Sequence, residues 1–405
     1  MINKKILVTA IMACGLNNAM ATDTPSIEEM WKIIQQQQKT IVELKAQINT
    51  NSQQVVEQKE VVEQQAQVLE VIAESVEDTP TISQSKYKFG GYGELHYNNT
   101  DSGNQIDFHR FVLFNGYDFN EKTRFYSELE IEHALSGDGK PGEVELEQAF
   151  IEHKLNDTTK MTAGVSLMPV GILNETHEPN TFYGVERNNV EKNIIPSTWW
   201  EAGIGFNKQA TQNFGYDLFV SSGLNVPIDG SSAFLIRSGR QKVAKAKAND
   251  GAVTARLRYS PSNNLQLAAS YQYQQDITQG ALDVDASLFE MNAQYNYNGF
   301  GLKALYAQWN LNDKVNAISA GREKQSGYFI EPSYRFGQTN QFGIFTRYST
   351  WDNNAGSDNS DDEVKQLDLG FNYWITPLVV LKADIQNQSG AGDSDGFNLG
   401  VGYSF

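Results

Sequence analysis

Carboxylates recur at every second position in two stretches of the chain. Glu128, Glu130 and Glu132 alternate with Leu129 and Ile131, and Glu143, Glu145 and Glu147 alternate with Val144 and Leu146. Arg256 and Arg258 alternate in the same way with Ala255, Leu257 and Tyr259. Before them runs a basic segment, Arg237, Arg240, Lys242, Lys245 and Lys247, with no acid between Gly230 and Asn249. Rows of like charge do not make an acid–base pair; they make charged walls. An acidic wall facing a basic one across water sets up a transverse field, which low-dielectric surroundings strengthen. The chemistry these residues suit is the steering of ions, and the sign of the preference depends on which wall stands at the narrowest point.

Other kinds of chemistry have less to stand on. Of the five histidines, His96, His109, His133, His153 and His177, the last lies between Glu175 and Glu178 and is the best-placed base. Hydrolysis would also need a Ser or Asp nucleophile oriented by it, and no serine sits in a recognisable nucleophile motif. No catalytic residue and no cofactor are therefore expected. His177 among acids reads as part of a polar loop rather than as a metal site. The single cysteine, Cys14, excludes a disulfide framework and a Cys-based zinc site.

From residue 87 to the last residue, apolar and polar residues alternate with a period of two, the signature of strands with two unlike faces. Turn residues divide this stretch into sixteen strands, the first at 87–99 and the last at 396–405. Short turns follow the even-numbered strands, among them Phe119-Asn120-Glu121, Asn156-Asp157-Thr158 and Ile375-Thr376. Long polar connections are expected after every odd-numbered strand, as in Asp101-Ser102-Gly103-Asn104 and Ser136 to Gly142. A soluble sandwich has no reason to sort loop length by strand parity, whereas a transmembrane barrel keeps short turns on the periplasmic side and long loops outside. Phe125, Leu129, Ile131, Val253, Leu257 and Tyr259 then face lipid, and the charged positions face a wet lumen. Trp199, Trp200, Tyr259, Tyr297, Trp309, Trp351, Tyr373 and Trp374 fall near strand ends, which suits interfacial girdles.

The segment before the barrel has a different period. Ile27, Ile34, Ile41, Ile48, Val55, Val62, Leu69 and Val76 recur every seven residues without a slip. Eight unbroken a positions on one narrow seam predict an α-helical coiled coil, with a marginal or disordered stalk as the competing reading. Thr79-Pro80 ends it. The fold class expected is thus an all-β transmembrane barrel of about sixteen antiparallel strands preceded by a helical coiled coil.

Lys4 and Lys5, the apolar run Ile6 to Ala13, and Ala19-Met20-Ala21 read as a secretory signal peptide over residues 1–21, cleaved after Ala21. The runner-up is a degenerate lipobox that retains a lipidated Cys14. Residues 22–82 then form the periplasmic coiled coil and linker, and residues 83–405 the barrel. No window approaches 18 uninterrupted apolar residues, which excludes a helical membrane protein. A net charge of −17 argues against nucleic acid as a partner. Tyr403 and Phe405 close a strand whose apolar face also carries Phe397, Leu399 and Val401; this resembles the C-terminal signal read by the assembly machinery of bacterial outer-membrane barrels. Asp358 to Glu363 is read as a solvated acidic loop, with cations bridging to lipopolysaccharide as the alternative.

Between Arg110 and Gly223 the chain resembles the phosphate-selective porins O and P. The likeness rests on Arg110-Phe111, Tyr117-Asp118, Glu128-Leu129-Glu130, Leu146-Glu147-Gln148-Ala149-Phe150, Pro169-Val170-Gly171, Glu186-Arg187, Ile195-Pro196 and Glu201-Ala202-Gly203. The resemblance implies a homotrimer of sixteen-stranded channels in outer-membrane lipid that pass small hydrophilic solutes or ions by diffusion. It also implies that the connection of about 32 residues from Met168 to Trp199, too long for an idle tether, folds inward as the constriction. That connection carries Glu175, His177, Glu178, Glu186, Arg187, Glu191 and Lys192. The barrel segment departs from a phosphate channel in its 38 acids against 26 bases, so the architecture carries over and the phosphate specificity does not. The alternatives are an outer-membrane anchor or adhesin whose coiled coil is the working part, and, less favoured, a barrel enzyme.

Overall fold

The computed structural model describes residues 85–312, 321–357 and 362–405, with helical residues scattered between 28 and 45. The chain divides into two units, Met1–Gln84 and Ser85–Phe405. In the first, the described residues are helical, and Ile41 and Leu44 are about half exposed. Ile27, Ile34, Ile48, Val55, Val62, Leu69 and Val76 and the leader at 1–21 lie outside the described residues.

The second unit is built from sixteen strands. They are β1 (Tyr87–Thr100), β2 (Gly103–Asp118), β3 (Thr123–Glu132), β4 (Val144–Asn156), β5 (Thr159–Leu167), β6 (Trp200–Gln209), β7 (Phe214–Ser221) and β8 (Ala252–Ser262). The second half comprises β9 (Leu265–Gln274), β10 (Ala286–Tyr297), β11 (Phe300–Leu311), β12 (Lys324–Phe336), β13 (Phe342–Asp352), β14 (Val364–Thr376), β15 (Val379–Gly390) and β16 (Gly396–Ser404). Each pairs antiparallel with its sequence neighbour, and β16 returns to β1 through pairs such as Leu95↔Val401, so the barrel is closed and has no free edge. The backbone of Phe405 completes the seam with Gly91.

The two faces of each strand invert the pattern of a soluble protein. On β14, Leu367 and Leu369 are 50% and 54% exposed while Asp368 and Asn372, on the opposite face, are buried. On β8, Val253, Leu257 and Tyr259 point out and Thr254 points in, as the alternation predicts. Apolar atoms facing out with polar atoms facing in are stable only if lipid lies outside and water or polar loops inside.

Two expectations need correction. The parity rule holds for the short turns, but β1 and β2 are joined by Asp101-Ser102 alone, because Gly103 to Ile106 extend β2 into a tall hairpin; β15 and β16 are joined by a short connection too. The tryptophans also depart from the girdle. Trp199, Trp309, Trp351 and Trp374 are buried among inward-facing residues, whereas Tyr259 and Tyr297 are exposed. An outer band of aromatics does exist near the short-turn rim, where Phe342 stacks on Phe371 and Tyr373.

Candidate pore site

The Met168 to Trp199 connection enters the barrel and crosses it. Leaving the long-loop end of β5, it brings Glu175 to Arg256 on β8 and His177 between Glu128 on β3 and Glu147 on β4, 3.4 and 3.3 Å away. It descends to the short-turn rim, where Asn180 accepts from Trp374 Nε1 and from Ser404 Oγ and donates to Pro377 O. Climbing again, Val185 N–H donates to Asp384 on β15 at 2.6 Å, Lys382 donates to Gly184 O, and Glu186 meets His96 on β1. A short helix, Asn189–Asn193, follows, capped by the Asn188 side chain accepting from Glu191 N. The return ends with Trp309 Nε1 donating to Ile194 O on the β11 side.

Local sequence explains how so long a segment stays in place. Glu191 is fully buried and accepts from the backbone N–H groups of Ile172 and Leu173 and from Asn188, which knits the two ends of the loop. Gly171, at φ +81°, makes the turn there, and a Cβ would stand 2.6 Å from the Glu191 carboxylate. Gly402 on β16 does the same for the tip, since a Cβ would stand 2.4 Å from Pro179. Burial and Arg187 press the His177 imidazole toward neutrality, but Glu128 and Glu147 outweigh them and push its pKa up to about 10. His177 is thus a structural cation between two carboxylates rather than a base beside a nucleophile.

A second connection, between β7 and β8, also folds in. Its Leu224, Val226, Phe234 and Ile236 pack with Ile172, Ile194 and Trp199 of the first loop and with Leu288, Leu305 and Trp309 of the wall into one apolar cluster. Trp199 and Trp309 meet with ring centroids 6.1 Å apart. Where the two loops meet the β10–β12 wall, the lumen is therefore filled. On the other side lies a chamber of about 620 Å³ that reaches the long-loop rim.

The charged residues fall into ion-paired sets and one set that is not paired. Glu94 and Glu130 flank Arg110 at 2.7 and 3.4 Å. Glu143 and Glu145 both pair with Lys242. Arg256 and Arg258 share Asp217 on β7, and Arg347 on β13 bridges Glu331 and Asp368. Arg187, Lys192, Arg237 and Arg240 line the chamber. Their guanidinium contacts run to backbone carbonyls: Arg187 to His177 O, Arg237 to Lys192 O and Ser197 O, Arg240 to Thr198 O. None of these four has a carboxylate partner among the described residues, and of the wall acids that line the chamber Glu132 alone is likewise unpaired.

The facing walls of the sequence reading are thus rearranged. Lys242 crosses to the acidic wall and cancels part of it, and Arg256 and Arg258 are cancelled where they stand. Glu178 makes no ion pair among the described residues, and Lys245 and Lys247 stay exposed, outside the chamber lining. Sequence reasoning missed Glu94, Arg110, Asp217, Arg347 and Lys382. Each is a charge on the polar face of an alternating strand, which is the signal that could have found them.

A family model of Gram-negative porins matches residues 199–393. An uncharacterised protein of Aquifex aeolicus is 31% identical over 328 residues, which is 73% of this chain and 74% of that one. Among solved structures, Salmonella typhi OmpF in complex with daunomycin superposes with a TM-score of 0.58 at 14% identity, over 79% of this chain and 98% of that one. The anion-selective porin of Comamonas acidovorans gives 0.56 at 14%, over 80% and 100%. The trimer form of Vibrio cholerae OmpT gives 0.55 at 12%, over 79% and 99%. At these identities the superpositions speak for the fold. The chain belongs to the Gram-negative porins, and its barrel is an outer-membrane channel for passive diffusion.

Proposed function

We propose that this porin favours small hydrophilic anions, inorganic phosphate among them, and that Arg187, Lys192, Arg237 and Arg240 set the preference. The observation that carries this is their lack of carboxylate partners in a chamber whose acids are, Glu132 apart, already paired or hydrogen-bonded. Carbonyl oxygens hold a guanidinium in place without cancelling its charge, and a cluster of unpaired cations beside low-dielectric walls raises the local anion concentration. The acidic composition of the whole chain is then no guide to the lumen, because much of it is spent in ion pairs or lies in outer loops.

The test is the reversal potential of purified protein in a planar bilayer under a potassium chloride gradient, followed by titration of phosphate against the chloride current. The expected result is a potential of anion-selective sign, inverted in the Arg187→Glu/Arg240→Glu variant. A cation-selective wild type, or a correctly folded double variant with the wild-type potential, would sink the assignment. Phosphate that leaves the chloride current unchanged would remove phosphate from the solute class.

The same reading includes a homotrimer, supported by the exposed Ile41 and Leu44 of the helical segment, whose heptad pattern needs partner helices to cover its seam. Placing Asp at Ile41 and Ile48 should shift the protein from trimer toward monomer on native gels while the barrel stays folded. Undiminished trimer in that variant would show that the helix is not what holds the assembly.

A further inference from the structure

Apart from the four unpaired cations, β1, β2 and the end of β3 gather three of the five histidines. The His96 and His109 rings stack with centroids 4.8 Å apart, and the His133 ring lies 5.9 Å from His109. His109 is there because of a bulge. The register steps from Glu94↔Arg110 to Leu95↔Phe108 and leaves His109 as the extra residue of β2. His109 and Arg110 are sequence neighbours and yet both line the chamber, which strict alternation forbids. Bulges of this kind re-aim a side chain.

We propose that His96, His109 and Glu186 form a binding site on the chamber wall for a divalent transition-metal ion of the zinc class. One ligand atom from each lies within 4.8 Å of the others. Each imidazole has one nitrogen held from outside by a carboxylate: Glu94 Oε2 is 3.2 Å from His96 Nε2, and Asp107 Oδ2 is 3.0 Å from His109 Nδ1. His96 Nδ1, 2.9 Å from Glu186 Oε1, and His109 Nε2, which has no hydrogen-bond partner among the described residues, are left to face an ion. A carboxylate on the far nitrogen fixes the tautomer and raises ligand basicity, which is the outer-shell arrangement that metal-binding histidines use. Two imidazoles and one carboxylate suit Zn²⁺, Cu²⁺ or Ni²⁺ and not Mg²⁺ or Ca²⁺, which prefer all-oxygen shells. The remaining coordination positions open to chamber water. Binding displaces the proton between His96 and Glu186 to solvent. Because Glu186 belongs to the crossing loop and the histidines to the wall, the ion also ties loop to wall.

The experiment uses full-length protein in detergent, stripped with a chelator and titrated with Zn²⁺ alone by calorimetry, with Cu²⁺ as a paramagnetic probe. One ion per chain is expected. His109→Ala and Glu186→Gln should each weaken it by more than the roughly 10- to 100-fold that loss of an outer-shell partner costs, His153→Ala should leave it unchanged, and the Cu²⁺ spectrum should show coupling to two imidazole nitrogens. Heat-modifiable migration on gels checks that each variant is a folded barrel, and either of the two substitutions suffices if the other fails to fold. Absence of saturable binding, or binding that both variants retain at wild-type strength, overturns the proposal. A loss on His133→Ala as large as that on His109→Ala also overturns it, because the ion would then sit on the Asp107 side of His109.

Discussion

Along β10 to β13 the inward positions carry Leu288, Leu305, Trp309 and Phe329, and the two infolded loops press apolar residues against them in one continuous cluster. Along β14 to β16 and β1 to β4 the inward positions carry Gln366, Asp368, Lys382, Glu94, Arg110 and Glu130, and the same crossing loop meets them with polar contacts and leaves a chamber. The two sides share one strand period, one barrel and one loop. The difference teaches that period two decides which residues face inward, while the chemistry of those residues decides whether a loop seals against the wall or leaves a path beside it.

The comparison breaks most severely at Trp199, the centre of the filled side. Trp199→Ala removes its contact with Trp309 and should cost about 3–5 kcal/mol, measured by denaturant unfolding in detergent. It should also raise single-channel conductance as the sealed side admits water; unchanged conductance in a destabilised variant would mean that the loop stays seated without its apolar anchor. Glu191 comes next, because it holds the loop ends on both sides at once. Glu191→Ala leaves two buried N–H groups without acceptors, each worth about 1–3 kcal/mol.

Glu191 also gives the comparison a pH handle. Burial, offset in part by the Leu173 N–H and the Asn188 side chain, pushes its carboxyl up to about 7. An acid whose folded pKa lies above its unfolded value, near 4.3, contributes stability that is complete below pH ~4 and is lost as pH rises through about 7. Unfolding midpoints across that window should fall with rising pH in the wild type and run flatter in Glu191→Ala. The smallest effect belongs to the wet side. Lys242→Ala frees Glu143 and Glu145 near the chamber and should reduce the anion preference by about twofold with a stability change below ~1 kcal/mol, since the pair is partly exposed. Reversal potentials at two salt concentrations would show the shift shrinking as salt rises.

Much of this was legible in the sequence. Alternation and turn residues yielded the count of sixteen strands and placed the first and last of them to within a residue, and the length of the Met168 to Trp199 stretch marked it as more than a tether. The rest hangs on partners far apart in the chain. Nothing around Ile194 announces Trp309, and nothing around Lys242 announces Glu145, because loop residues carry no period and find their partners only when the barrel closes. Strand-end tryptophans read as lipid anchors because a one-dimensional pattern cannot say whether an aromatic at a rim leans out to lipid or in toward a loop. His109 was hidden for a related reason: a single extra residue in β2 shifts one position off the alternation.

The loop that threads the lumen has a mechanical consequence. It is bonded to β1 through Glu186, to β11 through Ile194, to β15 through Gly184 and Val185, and to the short-turn rim through Asn180. A hollow cylinder squeezed from the side yields first by flattening into an ellipse. This one carries an internal strut tied to walls on several sides, so flattening requires those bonds to break, and lateral pressure from the surrounding bilayer is borne by the loop as well as by the sheet.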